Sequence, residues 1–204
     1  MTPSFKSIIV FLSFFFLHTN LVGESNPHKF IDFQSQKMVS VIINNQDLFV
    51  ENPELFKEKI SLIFEPMVDF RRVGASVMGK KYYLASSKSQ RLEFIQAFKN
   101  SLLDTYTSTL AQWGDQKIVT VFPEVSELKK TEDVQQNLIT ASNTYPIIYK
   151  VRKNKNGDWL IINIIVNGVN LGLTFRNQFQ ALAKEHNENI DEIIRNWTSD
   201  ADLN

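Results

Sequence analysis

Beyond residue 23 the apolar positions first recur at helical spacing. From Asn26 to Asp47 they fall at Phe30, Phe33, Met38, Val41 and Ile42, and Asn52-Pro53-Glu54 then opens a second stripe of Phe56, Ile60, Ile63, Phe64 and Met67. Pro66 predicts a break, with a further helix from Met67 to about Val77 that stops at Gly79. The longest pattern runs from Lys88 to Gln112. Ser87-Lys88-Ser89-Gln90 reads as a capping box, the hydroxyl accepting from a free backbone N–H while the Gln side chain reaches back. Leu92, Ile95, Phe98, Leu102, Tyr106, Leu110 and Trp113 then share one face, and Gly114 ends it.

The period next shortens to that of strands. Lys117 to Phe122, Val134 to Thr140, Pro146 to Lys153 and Asp158 to Val166 predict an antiparallel meander, with Asn156-Gly157 as a two-residue hairpin turn. On the third strand Ile147, Tyr149 and Val151 face one way, and Ile148, Lys150 and Arg152 the other. On the fourth, strict alternation puts Trp159, Ile161, Asn163 and Ile165 together, opposite Leu160, Ile162, Ile164 and Val166. A strand apolar on both faces belongs in the middle of a sheet. Leu171 to His186, carrying Phe175, Phe179 and Leu182, and Asn189 to Trp197 close the chain as helices. The fold class is α+β, a curved antiparallel sheet packed with helices.

The first 23 residues stand apart from this pattern. Lys6 precedes an apolar run from Ile8 to Leu17, followed by a short polar stretch ending at Gly23. That order predicts a cleaved secretory signal over residues 1–23, because the run is too short for a helix that must cross roughly 30 Å of hydrocarbon. Residues 24–204 then form one exported domain.

Charge and composition narrow the function. The 204 residues carry 22 Lys+Arg and 22 Asp+Glu, so no global positive field holds a polyanion, and a nucleic-acid partner is not expected. The absence of Cys removes disulfides, thiolate metal sites and thiol nucleophiles. His28 and His186 follow the leader without metal-ligand spacing and are assigned surface or capping roles, and neither a phosphate-binding glycine loop nor a nucleophile elbow is present. No cofactor is expected. Sixteen Phe make a heavy apolar load. The basic hairpin of Lys150, Arg152, Lys153 and Lys155 has two readings: protection of an exposed edge, or contact with anionic headgroups or a membrane-protein partner.

Phe64-Glu65-Pro66-Met67-Val68-Asp69-Phe70, followed by Val73-Gly74 and Met78-Gly79, resembles the P-x-x-D-F…G signature of MlaC-type periplasmic phospholipid-binding proteins, the toluene-tolerance auxiliary family. Gln90-Arg91, Phe94, Phe98, Leu102 and Tyr106 continue the likeness, as do Tyr149, Trp159, Gly168-Val169, Leu171, Arg176 and Phe179. Asn163, Asn167 and Asn170 depart from it, standing where that family usually carries Asp, Glu and Ser.

The resemblance implies a sheet curled like the cone of nuclear-transport-factor-like folds, a helical subdomain, and acyl tails held between them. It also implies a periplasmic shuttle, without enzymatic activity. Its partners would be phospholipid, an outer-membrane lipoprotein–porin complex, and an inner-membrane ABC transporter with a ring-forming subunit. Physics gives such a carrier a purpose. The ~30 methylenes of a diacyl lipid favour leaving water by on the order of 25 kcal/mol, so free release would be too slow for traffic.

The candidate tail-burying residues are Met67, Phe70, Val73, Tyr106, Tyr149, Val151, Trp159, Ile161, Val169, Leu171 and Phe179, with Met67 and Met78 as adaptable elements. Headgroups are expected near the mouth with little recognition, since the sequence shows no convergent charged clamp. Two other readings stay open. A small-molecule isomerase or hydratase on the same scaffold needs an inward acid, whereas the inward candidate here is the amide Asn163. A ligand-free scaffold needs a filled interior.

Overall fold

A computed structural model describes residues 26–124 and 127–199. The expected export signal over residues 1–23 lies outside the described residues.

Five helices lead into the sheet: α1 (Pro27–Ile43), α2 (Gln46–Glu51), α3 (Pro53–Met67), α4 (Phe70–Ala85) and α5 (Lys88–Ala111). Side chains set their starts. Asn26, Asn52 and Asp69 accept first-turn N–H groups, and Ser87 and Gln90 complete the capping box that opens α5. The sheet orders β1 (Lys117–Thr120), β2 (Thr131–Ile139), β3 (Thr144–Lys153), β4 (Trp159–Val166) and β5 (Val169–Asn170) in sequence, every pair antiparallel. Helices α6 (Leu171–Glu185) and α7 (Ile190–Arg195) follow, capped by Asn170 and Asn189. The architecture is α+β, a curved antiparallel sheet packed with a helical subdomain.

Several local expectations change. Pro66 lies within the last turn of α3. The chain breaks two residues later, where Val68 turns extended and the Asp69 N–H donates to the Ile161 carbonyl at 3.0 Å, stitching the α3–α4 junction to β4. Gly79 kinks α4 without ending it. It adopts φ +70°, a region costly for L side chains, and the Arg176 guanidinium packs against it where a Cβ would meet Nη2 at 3.2 Å. The β3–β4 hairpin is a longer loop, in which the Asn154 side chain accepts from the N–H groups of Asn156 and Asp158 and only Gly157 has positive φ. The two-residue turn with both central residues at positive φ is instead Asn167-Gly168, joining the paired residues Val166 and Val169.

Strict alternation also fails in β4. Tyr149 faces Ile164 and Lys150 faces Asn163, but Val151 faces Ile161, so Ile162 is an extra residue in a β-bulge. The bulge reverses parity. Ile164 and Val166 therefore join Ile161 on the face beneath Ile147 and Tyr149, where alternation had put Ile165. The basic hairpin is no exposed edge either: β3 lies between β2 and β4, and Lys150 pairs with its cross-strand neighbour Asp133 at 2.9 Å.

Three packed clusters surround the centre. One is aromatic, with Phe94 meeting Phe179 at 5.0 Å and Trp197 at 5.1 Å between ring centroids, both edge-on, among α4, α5, α6 and α7. A second joins Ile31, Ile63 and Met67 to Val134, Val151, Trp159 and Ile161 of the sheet. The third gathers Ile42, Phe56, Ile60 and Leu103. His28 is buried at the start of α1 beside Phe122, where a surface or capping role had been expected; His186 does cap α6.

Candidate functional site: an apolar cavity between sheet and helices

Where these clusters meet, a cavity of about 310 Å³ remains unfilled. Its floor is the bulged sheet: Ile147 and Tyr149 from β3, and Ile161, Ile164 and Val166 from β4. The roof is α5, whose stripe presents Phe98, Leu102, Tyr106 and Leu110 at every fourth residue with Leu103 and Thr107 beside them. Met38, Ile60, Phe64, Val68 and Val73 close one side, and the first turn of α6, with Leu171, Gly172 and Phe175, closes the other. The size falls at the lower end of that of small-molecule pockets, roughly 300–1,000 Å³.

Of the sequence candidates, Val73, Tyr106, Tyr149, Ile161 and Leu171 line this cavity. Met67, Val151 and Trp159 are instead buried in the cluster between α1, α3 and the sheet. Phe179 is fully buried in the aromatic cluster, Phe70 packs on that cluster's edge, and Val169 sits in β5 away from the lining. The methionine in the wall is Met38, because Met67 and Met78 are both held in filled packing. Leu102 and Leu110 stood in the α5 stripe and were legible there; Ile164 and Val166 were hidden by the bulge.

The wall is chemically quiet. No carboxylate lines it among the described residues. The Tyr149 phenol is pushed well above its ordinary range by burial, and it stays neutral. The Thr107 hydroxyl is buried without a hydrogen-bond partner. Asn163 accepts from the Gly172 N–H at 3.0 Å and donates to the Asn170 side chain at 3.0 Å. Such a surface supplies burial and few directed contacts. It holds no acid–base pair of the kind that proton-transfer chemistry needs.

Comparison with known proteins agrees with this geometry. The sequence pattern that defines the MlaC protein family matches residues 34–199. The chain is 29% identical to the toluene tolerance protein ttg2D of Pseudomonas putida over 197 residues, 96% of this chain and 89% of that one. It is 26% identical to the intermembrane phospholipid transport system binding protein MlaC of Haemophilus influenzae over 199 residues, 93% of this chain and 89% of the other. The fold superimposes with a TM-score of 0.73 on a phospholipid-binding protein from Ralstonia solanacearum solved in complex with a phospholipid. That match has 20% identity and covers 81% of this chain and 90% of that one.

Proposed function

Because the chain belongs to the MlaC family, we propose that it is a periplasmic phospholipid carrier that buries acyl tails in the cavity between α5, α6 and the bulged sheet. The observation that carries this reading is the cavity itself: an unfilled space of about 310 Å³ walled mainly by Leu, Ile, Val, Phe and Tyr, with no carboxylate among the described residues that line it. Apolar contact stabilises each buried methylene by ~0.8 kcal/mol and needs no further chemistry. The named roles of the Haemophilus relative and the phospholipid held by the Ralstonia protein support it. The isomerase or hydratase alternative requires a carboxylate base in the pocket, and among the described residues the wall offers the Asn163 amide, the phenols of Tyr106 and Tyr149 and the Thr107 hydroxyl instead.

In this reading residues 1–23 direct export and are removed, and residues 24–204 act as a shuttle that maintains outer-membrane lipid asymmetry. It exchanges lipid by direct contact with an outer-membrane lipoprotein–porin complex and with an inner-membrane ABC transporter bearing a ring-forming subunit. Contact is required because spontaneous desorption opposes the whole transfer free energy of the tails. Native mass spectrometry of freshly purified protein tests the carrier reading. Adducts of phospholipid mass are expected; a protein that is uniformly bare under gentle ionisation overturns it.

A further inference from the structure

Beside the apolar cavity lies a second, solvent-facing pocket of about 540 Å³ with the opposite character. Val73, Asn163 and Gly172 line both, so the two spaces adjoin across the Asn163 clasp. Three cations from three separate elements line the outer space: Arg72 of α4, Lys150 of β3 and Arg176 of α6, the last also bordering the adjoining groove that contains Gly79. Arg72 is partly neutralised by Asp69 at 3.3 Å, and Lys150 by Asp133 at 2.9 Å. Among the described residues no carboxylate lies within ion-pair distance of Arg176, whose guanidinium is positioned by its packing against Gly79. Asn163 and Asn170, which also line the pocket, are amides and cancel none of this charge.

Resting on the carrier reading above, we propose that this pocket is a phosphate-binding vestibule, in which Arg176, flanked by Arg72 and Lys150, holds the phosphodiester of a lipid whose tails occupy the cavity. The chemistry is complementary at both ends of one amphiphile. A guanidinium offers a planar fork of N–H donors that matches two phosphate oxygens, and a charge-assisted contact of this kind is shorter and stronger than a neutral one. Apolar space and cationic space share a wall, so a diacyl phosphate lipid spans them without burying its charge. The headgroup is thus recognised by its phosphate. The sequence hides this clamp because its members lie far apart along the chain.

The test compares binding of a short-chain phosphatidylglycerol with that of the diacylglycerol carrying the same chains, by calorimetric titration of the purified, delipidated protein. Arg176→Gln removes the free cation. Ser76→Asp, at an exposed position that lines only the outer pocket, adds a negative charge to the vestibule and leaves Arg176 in place, so it serves if the first variant folds poorly. Both are expected to weaken phosphatidylglycerol binding by about tenfold or more while leaving the diacylglycerol nearly unchanged, and Arg176→Lys, which keeps the charge without the fork, to lose less than Arg176→Gln. Equal loss for both lipids, or no loss for either, overturns the proposal. Inorganic phosphate separates the sources: if it binds in an Arg176-dependent manner while the two lipids bind alike, the pocket takes free phosphate and the headgroup assignment falls. If neither lipid binds the unmodified protein, the carrier reading fails first and this assignment fails with it.

Discussion

The side-chain oxygen of Asn163 accepts a hydrogen bond from the backbone N–H of Gly172 at 3.0 Å, fixing the bulge of β4 to the first turn of α6. The approach is so close that a Cβ on Gly172 would stand 2.5 Å from that oxygen. Gly172→Ala is therefore expected to destabilise the fold by ~1–3 kcal/mol, the usual cost of overpacking. Asn163→Ala in the same chain removes the clash, so the double variant should lose less than the two single losses combined. Thermal denaturation of the three variants checks this; strict additivity contradicts the contact.

Charge placed in the cavity should empty it. Tyr149 lines the cavity and Val169 does not. Tyr149→Arg is expected to abolish most co-purifying lipid, whereas Val169→Arg should leave the load close to normal, as judged by lipid extraction from equal amounts of folded protein. Equal loads in both would remove Tyr149 from the binding surface.

The Thr107 hydroxyl is buried beside the cavity without a partner. An unsatisfied buried hydroxyl costs ~1–3 kcal/mol, so Thr107→Val is expected to stabilise the protein by on the order of 1 kcal/mol. A rise of the melting temperature by a few degrees in a domain of this size is the signature. A fall would show that the hydroxyl has a role in the folded state.

His28 introduces a pH dependence. Burial lowers its pKa below the ordinary 6.5, opposed by the nearby Glu132 carboxylate. The unfolded chain therefore takes up the proton first. Stability is intact above about pH 6.5 and declines as pH falls from there toward the lowered folded-state pKa. His28→Gln should flatten that decline in unfolding measured between pH 7.5 and 5; an unchanged slope would assign the acid sensitivity to other groups.

Much of this molecule is legible without coordinates. Capping side chains at Asn26, Asn52 and Ser87 mark helix starts because they are local chemistry, and the α5 stripe marks one wall of the cavity because its spacing repeats. What escapes is whatever depends on a single inserted residue or a distant neighbour. One bulged residue, Ile162, reverses which of the following isoleucines face inward, and an alternating count has no means of detecting it. Gly79 reads as a stop until Arg176, from another helix, is seen packed against it. The cavity wall follows the same logic: Tyr106 and Phe179 are equally plausible from pattern, but one faces empty space and the other a cluster of rings. Apolar periodicity tells which side of an element is hidden, not whether anything fills the room beyond it.

The three filled clusters lie around the empty space and not across it. The Asp69–Ile161 stitch further ties helices to sheet independently of any guest. Such a vessel keeps its shape when drained. In the carrier role proposed above, it would return unloaded without passing through a partly unfolded form that proteases or aggregation would claim.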